Sequence, residues 1–222
     1  MKKFAVILNG CGSMDGSEIH ESVSLLYAID RHGAQYHIFA PDIDQYEVVN
    51  HLTGQAIPER RNCLVESARI ARGKVAPLSE LHVEDFDALV FPGGSGSAKN
   101  IFTYARDGEN FTVDEEIAAI IRQFHADGKP IGAMCIAPLM VARVIEGATV
   151  TMGKDPHTSA LVEQFGGHAL PTSHGEVAHD RRNRLFSVPC YMLPSQISDI
   201  FKDAFSLVDD MLQTMENDQH HD

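Results

Sequence analysis

Cys135 lies in the stretch Ile131-Gly132-Ala133-Met134-Cys135-Ile136-Ala137-Pro138, an apolar strand that runs without a break into a helix. A side chain at that junction is held out on a tight turn at the open edge of a sheet. The first N–H groups of the following helix are unpaired and carry partial positive charge, and they point at the same spot. Both effects favour a thiolate. A cysteine can also serve as a small buried hydrophobe; the position between strand and helix is what favours the nucleophile.

The rest of the chain supplies a sheet for that strand. Phe4 to Leu8 is a continuous apolar run, as expected of a strand covered on both faces. Helical periodicity follows from about Ser17, with Ile19, Val23, Leu26 and Ile29 on one face, Asp15 and Glu18 spaced as a capping box, and Gly33 as the stop. Tyr36–Ala40 is a second strand, 42–58 is irregular, and a helix covers about Asn62 to Ala71. Asp87–Phe91 is a strand entering the loop Pro92-Gly93-Gly94-Ser95-Gly96-Ser97. Thr112–Ala126 is an amphipathic helix with Thr112 and Glu115 as a capping box and Val113, Ile117, Ile120 and Phe124 as its stripe. Beyond the Cys135 turn and its helix to about Ile145 come a strand at Thr149–Met152, a helix at Thr158–Phe165, an edge hairpin of Val177–His179 and Leu185–Val188, and a last helix over about Ser195–Met215.

Strands alternating with helices predict an α/β fold: a doubly wound, mainly parallel sheet sandwiched by helices, with an edge hairpin and a C-terminal helix. One domain over residues 1–216 is expected, with 217–222 as a disordered tail.

A net charge of −13 among 222 residues argues against nucleic acid, and no basic stripe offsets it. No segment approaches the roughly 18 apolar residues of a membrane span. The run after Met1-Lys2-Lys3 is too short for a signal peptide. The four cysteines, Cys11, Cys63, Cys135 and Cys190, are spaced for neither a disulfide framework nor a zinc knuckle, so a reducing cytoplasm is the expected location. No histidine pair has metal-ligand spacing with a carboxylate nearby, and neither a metal nor a cofactor is expected.

In such sheets the carboxyl ends of the strands carry the site. Three loops meet there: Gly10-Cys11-Gly12, Pro92-Gly93-Gly94 and the Cys135 turn. The backbone N–H groups of Gly93, Gly94 and Ile136 are candidates for an oxyanion hole. Glu18 and Glu21 share one helical face, and one of them can serve Cys135 as a general base, its pKa raised by burial. Glu18 has a simpler role as an acid at a helix N-terminus; Glu21 lies past the first turn, where that explanation weakens.

These residues resemble the ElbB-type branch of the PfpI and parkinsonism-associated deglycase superfamily, within the class I glutamine amidotransferase-like fold. The resemblance extends over nearly the whole chain and rests on Val6–Gly12, Asp15–Glu21, Asn50–Gly54, Pro92-Gly93-Gly94 with Ala98-Lys99-Asn100, and Met134–Pro138. It implies a flavodoxin-like sandwich, a reactive elbow cysteine at Cys135 and a facing glutamate at Glu21. It further implies a cofactor-independent glyoxalase III-type lyase acting on small dicarbonyls, with glyoxal going to glycolate and methylglyoxal to lactate, an activity also interpreted as deglycation, in a homodimer. One departure stands out. Members of the superfamily often carry a histidine just after the strand that follows the elbow helix, but here Thr151-Met152-Gly153 has none, and His157 comes four or five residues later.

Three other readings compete. Gly10, Gly12 and Gly16 after a strand suggest a dinucleotide turn with Asp42 for a ribose, although the spacing is GxGxxxG. His174-Gly175-Glu176 has the H-x-E spacing of a glutamine amidotransferase triad but precedes the hairpin. Cys135 could instead be an oxidant sensor with Cys11 as its partner.

Overall fold

In a computed structural model, which describes residues 1–219, the chain forms the strands β1 (Lys3–Ile7), β2 (Gln35–Ala40), β3 (Val48–Asn50), β4 (Gln55–Ile57), β5 (Val75–Pro77), β6 (Ala88–Phe91), β7 (Ile131–Met134), β8 (Thr149–Val150), β9 (His168–Ala169), β10 (Ala178–Asp180) and β11 (Leu185–Val188). The α-helices are α1 (Ile19–Arg31), α2 (Cys63–Ala71), α3 (Ser97–Asn100), α4 (Tyr104–Asp107), α5 (Glu115–Ala126), α6 (Ala137–Val144), α7 (Pro156–Gln164) and α8 (Ile197–Gln219).

Seven strands make the main sheet in the order β10-β11-β7-β6-β1-β2-β5, and every pairing except β10 with β11 is parallel. The expected doubly wound α/β sandwich and its antiparallel edge hairpin are therefore present. Phe4 to Leu8 and Ala88 to Phe91 are fully buried, as continuous apolar runs under helices on both faces should be. From β1 the chain moves outward to β2 and β5, then returns to β6 on the other side of β1. That reversal leaves a crevice between the carboxyl ends of β1 and β6, where ligands of such folds bind.

Several local expectations are corrected. The capping boxes fail in both helices: Glu18 itself caps α1, and Asp114 caps α5 through the N–H groups of Glu116 and Ile117. Asp15 instead accepts the Val49 N–H at 2.9 Å. The predicted stripe of α1 holds in its second half, where Ile29 is buried and Leu26 packs half-buried against the core, and fails in its first. Ile19, Val23 and Tyr27 are exposed, while Glu21, Ser22, Ser24, Leu25, Ala28 and Ile29 are buried. The serines tolerate burial because Ser22 Oγ donates to Glu18 O at 2.6 Å and Ser24 Oγ to Glu21 O at 3.0 Å.

The segment 42–58 is irregular only in part, since β3 and β4 pair across the turn at Asn50–Gly54. β8 stays outside the main sheet and pairs with β9. α8 continues through Asn217–Gln219, with Met215 buried and the Arg184 guanidinium on Asp218 at 2.5 Å, so those residues are helical rather than tail. The expectation for 220–222 lies outside the described residues. None of the described helices is long and apolar enough to cross a membrane.

Candidate active site

The elbow forms as the sequence pattern predicts. β7 ends at Met134, α6 begins at Ala137, and Cys135 between them has φ +59°, a left-handed conformation that a non-glycine residue adopts only when its surroundings hold it. Part of that hold is the Cys135 N–H, which donates to Val188 O at the end of β11 at 3.1 Å. No side chain caps the N-terminus of α6, so the Ile136 N–H remains directed at the Cys135 sulfur, as does that of Gly94.

Glu21 is the glutamate at the sulfur. Its side chain is 0% exposed, its Oε2 accepts the Gly93 N–H at 2.7 Å, and its carboxyl faces the Cys135 thiol and the Tyr191 N–H. Neither of the latter two closes a well-formed hydrogen bond on Oε1, which is left without a partner among the described residues. Burial, followed by the charge of Glu18, lifts the Glu21 carboxyl to about 8.

The Cys135 thiol is also shifted upward, first by burial and then by the Glu21 charge, against the opposing pull of the Gly94 and Ile136 amides. This corrects the expected resting thiolate. Two backbone dipoles do not outweigh desolvation beside a carboxyl, and at neutral pH the pair keeps its protons.

The oxyanion hole is likewise corrected. The Gly93 amide is committed to Glu21, which leaves Gly94 and Ile136 as the candidate donors. Gly93 is sterically required as well, because a Cβ there would lie 2.7 Å from Cys135 Cβ and 2.9 Å from Glu21 Oε2. Its carbonyl accepts the Glu18 N–H at 3.0 Å and the Ser97 hydroxyl at 2.9 Å, so this peptide unit is fixed at both ends.

Glu18 caps α1 by accepting the Glu21 N–H at 2.7 Å, and it lines the cavity above the sulfur. It raises the Glu21 pKa rather than acting as the base beside Cys135. His157 sits exposed at the start of α7, its ring 6.4 Å from that of Tyr104, which puts it behind a cavity wall and away from the sulfur. Cys11 is half-buried, with Arg69, Glu66 and Asp15 as its charged neighbours. The cysteine whose surroundings include Cys135 is Cys190, at the end of β11.

That fourth strand end was missed in the sequence. Cys190, Tyr191 and Met192 form a 3-10 turn after β11; Tyr191 and Met192 line the cavity, and the Tyr191 hydroxyl lies 2.6 Å from His20 Nδ1. The only available signal was Pro189 ending an apolar strand, the same pattern that marks a carboxyl-edge loop elsewhere in the chain.

The cavity has a volume of about 520 Å3, with Glu18, Gly94, Tyr104, Cys135, Ile136 and Tyr191 among its walls. A hollow of about 560 Å3 along β2 and β5, beside Lys3, His37 and Phe86, is lined by no cysteine, serine or threonine. Among the described residues, no three His, Cys, Asp or Glu side chains converge as a metal site would require.

The dinucleotide turn is filled by the protein itself. Gly16 packs against Gly10 and Cys11, and Gly96 against Gly16, so no cradle remains for a pyrophosphate. The H-x-E reading fails in its partner: Glu176 accepts the Ser173 N–H, and His174 pairs with Asp203.

A family model described as "DJ-1/PfpI family" matches residues 13–163, a span that holds Glu21, Gly93 and Cys135. The chain belongs to the DJ-1/PfpI family. It is 38% identical to the rat ES1 protein homolog, mitochondrial, over 95% of this chain and 83% of that one. It is also 38% identical to the human glutamine amidotransferase-like class 1 domain-containing protein 3, mitochondrial, over 95% and 82% of the two chains. A crystal structure of an isoprenoid biosynthesis protein with amidotransferase-like domain from Ehrlichia chaffeensis superposes with a TM-score of 0.89 at 37% identity, covering 96% of this chain and 99% of that one. The DJ-1/PfpI assignment and these neighbours agree with the flavodoxin-like architecture described above.

Proposed function

We propose that this DJ-1/PfpI family protein is a cofactor-independent glyoxalase of the ElbB type, converting glyoxal to glycolate and methylglyoxal to lactate. The observation that carries this reading is the buried Cys135–Glu21 pair with the Gly94 and Ile136 amides aimed at the sulfur. The reactive form is the fraction with Glu21 ionised: Cys135 Sγ adds to one aldehyde carbon while its proton passes to the Glu21 carboxylate and on to the carbonyl oxygen, which leaves Glu21 ionised again. The product is a hemithioacetal whose oxygen lies toward the two amides. Ionised Glu21 then removes the proton from that carbon and returns it to the neighbouring carbonyl carbon by way of an enediol, leaving a thioester on Cys135. Water hydrolyses the thioester, so that glyoxal plus one water becomes glycolic acid and the thiol is restored.

The same proton movement on a carbonyl adduct of an amine would register as deglycation. Glyoxal and methylglyoxal turnover by wild type, Cys135→Ser and Glu21→Gln, measured side by side, tests the proposal. Turnover is expected to vanish in the first variant and to fall steeply in the second; undiminished turnover in Cys135→Ser would sink it.

A second reading is that Cys135 reports oxidant or carbonyl stress rather than turning over substrate, and it is favoured by Cys190 beside the elbow cysteine. Peroxide would take Cys135 to a sulfenic acid, and the Cys190 thiol would condense with it to a disulfide and water. Intact-mass measurement after mild peroxide, with and without Cys190→Ser, separates this reading from turnover.

A further inference from the structure

The Cys190–Met192 turn is held in a conformation its own residues do not favour. Cys190 has φ +43°, and its side chain is fully buried. A non-glycine residue in the left-handed region persists only where surrounding contacts over-determine it, and such residues gather at functional sites. Cys135 is the other left-handed non-glycine residue in the site, and the two stand at the ends of neighbouring parallel strands, where Met134 is in register with Val188.

The contact that holds Cys190 comes from α8. Asp203 is 0% exposed, and its carboxylate accepts three hydrogen bonds: from the Gly175 N–H at 2.6 Å, from His174 Nδ1 at 2.7 Å and from the Cys190 N–H at 2.9 Å. The other ring nitrogen of His174 lies 3.0 Å from Ser195 Oγ and 3.3 Å from Pro194 O. Ser195, His174 and Asp203 thus have the connectivity of a hydrolytic triad. They cannot act as one, because the serine hydroxyl lies 2.6 Å from Leu193 O and 3.0 Å from Cys190 O, which accept its only proton. The cluster is a clasp: one buried carboxylate and one imidazole tie both ends of 190–195 to α8 and to the loop before β10.

We infer that Asp203 and His174 are positioning residues for the Cys135–Glu21 pair, acting through the strained Cys190 turn to hold the Tyr191 N–H against the Glu21 carboxyl. The next amide after Cys190 is the one that faces Glu21, and the Tyr191 side chain walls the cavity on the other side of the same peptide. A change of φ at Cys190 rotates that amide away and removes one of the two backbone dipoles turned toward the buried carboxyl. This inference rests on Cys135 and Glu21 acting as a pair and not on any substrate.

The test is therefore substrate-free: the rate of iodoacetamide alkylation of Cys135 against pH, followed by intact-mass analysis, in the full-length protein. Turning that amide away favours the neutral Glu21 carboxyl and, within the pair, the Cys135 thiolate, so Asp203→Asn should move the midpoint down by about half a pH unit or more, a roughly threefold faster reaction on the rising limb. Glycine adopts φ +43° unaided, so in a Cys190→Gly background the same Asp203→Asn change should shift the midpoint far less. A merely structural role for Asp203 predicts no such rescue. If Asp203→Asn does not fold, His174→Gln, which keeps both backbone donors on the carboxylate, should move the midpoint in the same direction by a smaller amount. An unchanged or raised midpoint in a folded Asp203→Asn or His174→Gln variant, or an equal shift with Cys190→Gly, would overturn the inference. Loss of glyoxal turnover alone would bear on the proposed reaction and not on the clasp.

Discussion

Glu21 Oε2 accepts the Gly93 N–H at 2.7 Å, across 72 positions of sequence, and this bond decides what each residue can do. It orients the carboxyl toward Cys135 and removes the Gly93 amide from the set that can hold an oxyanion. In the proposed reaction that task falls to Gly94 and Ile136, whose amides face the sulfur.

Gly93→Ala should be far more damaging than an ordinary loop substitution. Its Cβ would meet Cys135 Cβ at 2.7 Å and Glu21 Oε2 at 2.9 Å, and neither neighbour can withdraw without breaking the site. The expected cost is about 1–3 kcal/mol of stability with loss of most Cys135 reactivity, measured by urea denaturation and by alkylation rate.

The pH profile of kcat/KM should rise from pH 6 and level off above about 8. In the proposed reaction, proton removal from carbon needs ionised Glu21, and burial holds that carboxyl at about 8. A profile that levels off near pH 5 would mean that the base is an ordinary exposed carboxylate.

Glu21 also links stability to pH. Its folded pKa of about 8 lies above the ordinary 4.5, so the folded state binds more protons between these values, and stability declines as pH rises through that window. Glu21→Gln should flatten the decline, a difference of a few kcal/mol by pH 8, read as Tm against pH.

Asp180 predicts the opposite sign. Burial opposes its ionisation, but the Asn183 side chain and the N–H groups of Thr149 and Asn183 hold its carboxyl below the usual range. Its contribution is present at neutral pH and is lost only as pH falls through the lowered value. Asp180→Asn should cost about 1–3 kcal/mol at pH 7, or a few degrees of Tm, by loosening the edge hairpin.

Tyr191→Phe removes the 2.6 Å contact with His20 while keeping the ring in the cavity wall. The mouth should loosen, raising KM severalfold with little change in kcat, as steady-state kinetics would show.

The parts of this molecule that were readable from sequence are those governed by local rules. Apolar runs at Phe4–Leu8, Asp87–Phe91 and Ile131–Met134 are strands because no other element buries both sides of so short a run. The elbow at Cys135 follows from the direct passage of strand into helix, and the nearness of Glu21 came from family resemblance rather than from spacing. Local rules failed where tertiary contacts outcompeted them. The α1 stripe holds at Leu26 and Ile29 but fails at Ile19 and Val23, because buried serines satisfy their hydroxyls on the helix's own carbonyls and polarity does not mark the exposed face.

The sequence by itself determined a doubly wound α/β chain with a cysteine at a strand-to-helix elbow and acids within reach of it, since strand burial, helix termini and turn glycines act within a few residues. Only the tertiary structure decided the protonation and the partners of that cysteine. Desolvation by the assembled core keeps the thiol and Glu21 protonated, against the pull of two amides. The fourth wall, Cys190–Met192 with Asp203 behind it, joins residues far apart in sequence, and its spacing carries no local signal because a buried carboxylate acquires its partners only when the helices close over the sheet.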